Sequence, residues 1–170
     1  MLSDFSESFA MTELTHFDDE GASRMVDIGD KPVTQRIAKA EGFVLMHPNT
    51  LRTIQQKEIS KGDVLEVARL AGIRATKKTD ELIPLCHSLG LDSASIDFSF
   101  LDERTVQITS TVAVSGKTGV EMEALTAVSI TALTIYDMCK AIDRDIQINN
   151  VRLVEKSGGR SGHYIRDNGS

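Results

Sequence analysis

From Val120 onward apolar residues recur at Val120, Met122, Ala124, Leu125, Ala127, Val128, Ile130, Leu133, Ile135, Met138 and Ile142, with no proline and no glycine after Gly119. The spacing predicts the longest helix of the chain, apolar nearly all round. So little polar surface requires cover on more than one side, from a sheet and from a second helix or another subunit. A period of two precedes it. Ala94, Ile96, Phe98 and Phe100 alternate with polar residues, and Val106, Ile108, Val112 and Val114 repeat the alternation after a turn at residues 102–104. That is a β-hairpin with one buried face. In residues 146–156 the apolar parity switches between Ile148 and Val151, as a β-bulge near Asn149 and Asn150 requires.

The first half of the chain is less regular. Residues 25–46 carry turn signals at Gly29, Asp30 and Pro32 and then an extended run from about Gln35. The stretch HPNTLRTIQQK predicts a short helix with Pro48 in its first turn and Leu51 and Ile54 on one face. After a break at Ser60, Lys61 and Gly62, Asp63 and Glu66 form an Asp version of the capping box. Val64, Val67, Ala68, Ala71 and Ala75 then extend a helix to about Thr76. The order β-α-β-β-α-β, with one extra short helix, is that of a ferredoxin-like α+β sandwich, an antiparallel sheet with helices on one face. Residues 1–20 lack periodicity and are expected to be disordered, residues 21–157 to form one domain, and residues 158–170 to be a flexible glycine-rich tail.

Composition narrows the function classes. The chain has 170 residues, 41% of them hydrophobic and 26% charged, without an apolar run near the length of a transmembrane span. Its start is acidic and lacks a basic n-region and an apolar h-region, which points to the cytoplasm and away from secretion or membranes. Cys86 and Cys139 stand far apart without a CxxC, which suits thiols of a reducing compartment better than a disulfide scaffold. A net charge of -6 disfavours general nucleic-acid binding but leaves room for a local basic pocket that holds a small anion.

Several stretches could carry chemistry. SGKTG at residues 115–119 fails as a P-loop, because the pattern needs glycine where Thr111 stands; what remains is a strand-to-helix turn with Lys117 and free amides. KSGGRSG at residues 156–162 combines two cations with small flexible residues that could wrap phosphate oxygens, or could be a mobile tail. Cys86 and His87 are adjacent in LIPLCHSL, and adjacent extended residues point apart, which disfavours a Cys–His nucleophilic pair. The four histidines show no metal-ligand spacing, so no metal site is expected. Asp137 and Lys140, three apart on the long helix among Ile135, Met138 and Cys139, read as a partly buried pair able to exchange protons with a substrate. Glu121 and Glu123 are two apart and should point to different sides of the helix.

Taken together, ELIPLCHSL, GKTGVEMEALTAVSITALTIYDMCKAID, KGDV at Lys61 and VRLVEKSGGRSG resemble the cyclic pyranopterin monophosphate synthases, the MoaC family of molybdenum cofactor biosynthesis. The resemblance covers roughly residues 25–162 and is specific because several long motifs occur in order. It implies a ferredoxin-like fold, a homohexamer built from dimers, and pockets at subunit interfaces. It also implies the rearrangement of 3',8-cyclo-7,8-dihydro-GTP to cyclic pyranopterin monophosphate with release of diphosphate. By motif position, Asp137 and Lys140 resemble the family's catalytic pair. Leu85, Cys86 and His87 match one substrate-binding segment, and Met122 and Glu123 a second. Glu121, Lys61, Lys156 and Arg36 resemble further pocket residues. Ser88 departs from the family's usual proline after the histidine.

On this reading Lys61, Lys156 and Arg36 hold the triphosphate, and Asp137 and Lys140 move protons. Lys140 would act as a base only where burial or nearby cations lower its pKa. No redox cofactor is required, and Mg2+ accompanying the substrate phosphates is compatible with the sequence. A non-catalytic nucleotide-sensing module would need the cations without the Asp137/Lys140 pair. An oligomeric scaffold would explain only the apolar helix.

Overall fold

The two alternating runs pair as an antiparallel hairpin, β2 (Ser93–Phe100) and β3 (Thr105–Gly116), with Phe98 opposite Ile108. β3 pairs on its other side with β1 (Thr34–Leu45), and β1 pairs with β4 (Gln147–Ser157), every pair antiparallel. β1 and β2 therefore run the same way with β3 between them, a split β-α-β arrangement. The computed structural model describes residues 21–60, 62–160 and 162–167; Lys61 and the segment 1–20, expected to be disordered, lie outside the described residues.

Alternation decides which face of the sheet is buried. Ala38, Ala40 and Val44 of β1 and Val106, Ile108, Val112 and Val114 of β3 all point to one side and are at most 2% exposed. The long helix α4 (Glu121–Cys139) covers that side with Ala124, Ala127, Val128 and Ile135. Its other cover is α2 (Val64–Thr76), which lies against both α4 and β2. The helix apolar all round thus has a sheet on one side and a helix on another, the α+β sandwich its sequence demands. Asp63 caps α2, its Oδ1 accepting from the amides of Leu65 and Glu66. Glu66 does not complete the capping box, since its side chain pairs with Arg69.

The parity switch in β4 is a bulge. Glu41 faces Arg152 and Phe43 faces Asn149, so Gly42 alone opposes Asn150 and Val151. Asn150 takes the left-handed conformation, φ 50, which asparagine tolerates better than branched residues do.

Two elements depart from the sequence reading. A single turn, α3 (Thr79–Leu82), follows α2 where only a loop was expected. Past β4, the flexible tail expected from residue 158 is instead a reversal at Gly158 and Gly159, both at positive φ, leading into β5 (Tyr164–Ile165). β5 pairs back on β4, and Arg166 donates from its amide to Val154 O and from Nε to Leu153 O. A two-residue strand has too few positions to show a period, and the glycines that suggest mobility also permit a tight turn.

The end of α4 is tied to α1 (Pro48–Gln55) through Asp143, which is 8% exposed. Its Oδ2 accepts from His47 N at 2.8 Å and Thr50 Oγ1 at 3.0 Å, and its Oδ1 accepts from Asp145 N at 3.1 Å. Burial pushes this carboxyl up, but the three hydrogen bonds together outweigh it and hold the group below the ordinary aspartate range. The folded pKa lies below the unfolded one, so the stabilisation is present above the unfolded value and is lost as pH falls through the folded value. Asp143→Asn turns one acceptor into an N–H group facing donors, and is expected to cost about 1–3 kcal/mol at neutral pH. Urea titrations of both proteins should converge on acidification; a gap that stays constant with pH would contradict the assignment.

Candidate active site

Four separated segments meet where β3 runs into α4 and β4 reaches its glycine turn. They enclose a cavity of about 550 Å³. The loop after α3 contributes Leu85, Cys86 and His87, and the first turn of α4 contributes Glu121, Met122 and Glu123. Arg36, near the start of β1, and Lys156, near the end of β4, complete the predicted set present in the cavity. Lys31, Lys117 and Val26 also line it, residues that the sequence reading left as solvated or unassigned. Lys117 carried a visible signal in its glycine-flanked turn; Val26 and Lys31 carried none, because only the tertiary path folds their segment over the pocket.

Polar contacts order this cavity. His87 Nε2 lies 2.9 Å from Val26 O, and since a carbonyl only accepts, Nε2 carries the proton and Nδ1 is left to the other side of the ring. Lys117 Nζ donates to Gly29 O at 2.6 Å, pinning the same N-terminal segment from across the pocket. Lys156 Nζ pairs with Glu121 Oε1 at 2.8 Å, with both side chains part-buried. Burial pushes the Cys86 thiol up, and the charges of Glu123 and Asp80 push it further. Cys86 is therefore a neutral wall and not a thiolate nucleophile. Neither cysteine forms a disulfide.

Arg36 has a place the sequence did not reveal. It is 9% exposed, and its Nε and Nη2 donate to Gly116 O and Lys117 O, each at 3.0 Å. A Cβ on Gly159 would fall 2.0 Å from Arg36 Nη1, so the guanidinium is also packed under the glycine reversal after β4. Arg36 thereby fixes two turns of the cavity wall against each other.

Glu121 and Glu123 both line the cavity, whereas helical geometry placed them on different sides. The cavity wraps the end of α4 rather than one of its faces, so residues of the first turn can reach it from several directions.

Asp137 and Lys140 lie elsewhere. They are fourteen or more residues along α4 from Glu123, roughly 21 Å at the helical rise. They form an ion pair of 2.7 Å, but the side chains are 63% and 53% exposed, where a partly buried pair was expected. The cause is the direction of the two residues, which point away from the sheet and α2 while Ile135, Met138 and Cys139 of the same turns point inward. Hydrogen bonding to Asp137 and its charge raise the Lys140 pKa. Within one chain Lys140 is thus an ammonium, an acid rather than a base. A second hollow of about 660 Å³ sits beside this end of α4, with Met138, Ala141 and Ser60, the neighbour of Lys61, in its lining.

The chain was compared with known proteins. A family model described as the MoaC family matches residues 25–159. A cyclic pyranopterin monophosphate synthase of Magnetococcus marinus is 60% identical over 158 residues, covering 92% of this chain and 97% of that protein. One from Heliobacterium modesticaldum is 59% identical over 159 residues, 92% of this chain and 99% of its own length. Cyclic pyranopterin monophosphate synthase 1 of Mycobacterium tuberculosis is 58% identical over 153 residues, 90% of either chain. With the family model spanning the sheet, the long helix and the cavity wall, and with relatives this similar along nearly their whole length, the chain belongs to the MoaC family.

Proposed function

We propose that this chain is a cyclic pyranopterin monophosphate synthase, a lyase that rearranges 3',8-cyclo-7,8-dihydro-GTP to cyclic pyranopterin monophosphate and releases diphosphate. The observation that carries the reading is the convergence of Leu85, Cys86, His87, Met122, Glu123 and Lys156 on one cavity with Lys31, Arg36 and Lys117, in a chain whose net charge is -6. Cations gathered in an acidic protein suit a polyphosphate, whose charge needs paired donors. In this reading Lys156 and Lys61 contact the triphosphate, and Arg36 contributes by holding the glycine turns in place. A ribose hydroxyl attacks the α-phosphorus, the bond to the β-phosphate oxygen breaks, and diphosphate leaves, with Asp137 and Lys140 moving the protons. Any Mg2+ comes with the phosphates: among the described residues no three His, Cys, Asp or Glu side chains gather as a metal site. No helix among them is long and apolar enough to cross a membrane, and the cytoplasm is the proposed compartment.

The distance along α4 requires Asp137 and Lys140 to come from a second copy. At 100° per residue the direction of Asp137 around the helix differs from that of Glu123 by only about 40°, so an antiparallel neighbour can bring its Asp137 to the first copy's cavity. The assembly proposed is a homohexamer, a trimer of such dimers, whose shared sites also bury the exposed ion pair. Incubating the protein with the cyclised triphosphate should yield diphosphate and a cyclic phosphate product; binding without either product would contradict the activity. Sharing has its own test. Co-refolded Asp137→Ala and Glu123→Ala proteins form mixed dimers with one doubly damaged and one intact site, and their activity should rise well above that of either parent. Verified mixed dimers with no gain would rule the arrangement out.

A further inference from the structure

Glu123 differs from every other charged group of the cavity in having no cation to itself. It is 4% exposed, and its carboxyl hydrogen-bonds to its own backbone amide, with no ion pair among the described residues. Three cations in the same lining are engaged: Lys156 with Glu121, Lys117 with Gly29 O, Arg36 with the carbonyls of Gly116 and Lys117. What faces Glu123 from the neighbouring elements is acidic or neutral, namely Asp80 of α3, Glu121 of its own helix and the Cys86 thiol of the loop between. Burial pushes its carboxyl above the ordinary glutamate range; the hydrogen bond from its own amide pulls the other way, and repulsion from Asp80 and Glu121 adds to the rise. The cavity therefore has a side bearing Lys31, Lys117, Lys156 and His87, which suits phosphates, and an acidic end at Glu123, which repels them.

We propose that Glu123 meets its ligand as a neutral carboxylic acid and donates a hydrogen bond to a carbonyl oxygen or unprotonated ring nitrogen of the purine-derived heterocycle. This rests on the reading of the cavity as the triphosphate site. An ionised Glu123 can only accept, and would select ring N–H groups; a protonated one selects an acceptor and so fixes which edge of the heterocycle turns inward. The neutral group also needs no partner cation to remain buried.

The first test needs no ligand. A folded-state pKa above the unfolded one means that the folded chain binds more protons, so stability falls as pH rises between the two values. Thermal unfolding of wild type and Glu123→Gln across mildly acidic to alkaline pH should show the melting temperature of the Glu123→Gln protein gaining on wild type as pH rises. A difference that stays flat, or moves in favour of wild type, overturns the proposal. The second test measures affinity for the cyclised triphosphate in an Asp137→Asn background, where turnover is blocked. With Glu123 intact, affinity should fall by up to about tenfold per pH unit above the pKa of its carboxyl, whereas the Glu123→Gln protein, which keeps a donor, should stay within a few-fold of its neutral-pH value throughout. Glu123→Ala should weaken binding roughly tenfold or more at neutral pH. If the Glu123→Gln protein binds as poorly as the Glu123→Ala protein, the contact belongs to a carboxylate and the proposal fails. If the parent itself does not bind the triphosphate while the stability result holds, the ligand assignment falls and the neutral acid stands.

Discussion

Asp137→Asn is expected to bind the cyclised triphosphate nearly as well as wild type and to turn it over about a hundred- to ten-thousandfold more slowly, the usual contribution of a positioned acid or base. The amide keeps the shape and one oxygen that can still accept from Lys140, 2.7 Å away in the wild-type chain. What it cannot do is take up a proton. Stability is not expected to change by more than about 0.5 kcal/mol, because an exposed i,i+3 ion pair contributes little. Unchanged melting and unchanged affinity with lost turnover would isolate chemistry from folding and binding. Product formation at a rate near wild type would remove Asp137 from the reaction. A loss of affinity matching the loss of rate would instead make it a binding residue.

The largest effect on folding is expected at Gly72, where α2 crosses α4. A Cβ built there would lie 2.1 Å from Thr131 Oγ1, 3.1 Å from Ala127 O and 3.2 Å from Ile96 Cδ1. None of the three can easily give way. Thr131 is fully buried and its hydroxyl donates to Ala127 O at 2.8 Å, Ala127 O belongs to a helix backbone, and Ile96 is 1% exposed beneath both helices. Replacing a helical glycine by alanine would by itself stabilise by about 0.5–1 kcal/mol. Separating two packed helices to admit the methyl costs about 1–3 kcal/mol, which is larger, so Gly72→Ala should be net destabilising and Gly72→Val more so, by about 3 kcal/mol. In a chain of this size each kcal/mol lowers the melting temperature by roughly 2–4 °C. A Gly72→Ala protein as stable as wild type in urea would mean that α2 and α4 do not approach this closely.

Each legible feature of the chain had a local cause. Alternation at Ala94 to Phe100 and Val106 to Val114 specified the hairpin, because side chains on a strand reach the core every second residue. The same rule makes the switch between Ile148 and Val151 a bulge, since without an extra residue one of the two would face the wrong side. Asp63 before a helical run is a cap here because its side chain reaches the free amides of the first turn. Motif order sufficed to place the chain in its family, and the motif residues Leu85 to His87 and Met122 to Glu123 do line one cavity.

The remainder depends on how distant segments lie against one another, which no local pattern encodes. Arg36 looked like a free cation and is a buried rivet between two turns, because the carbonyls of Gly116 and Lys117 and the reversal at Gly159 arrive there only when β1 lies between β3 and β4. Lys117 and Lys31 join the cavity because the segment before β1 folds back over it. Gly72 reads as a weak point in a helix until α4 is packed against it. Asp137 and Lys140 were placed correctly on the helix and incorrectly in the interior: three-residue spacing fixes that they share a face, but apolar neighbours in sequence point a third of a turn away, and only the packed sheet and α2 decide which face meets solvent. Sequence determined the elements, their order and the family, since these follow from periodicity and motif; tertiary structure decided burial, ionisation and the membership of the cavity, since these depend on which surfaces exclude water from one another.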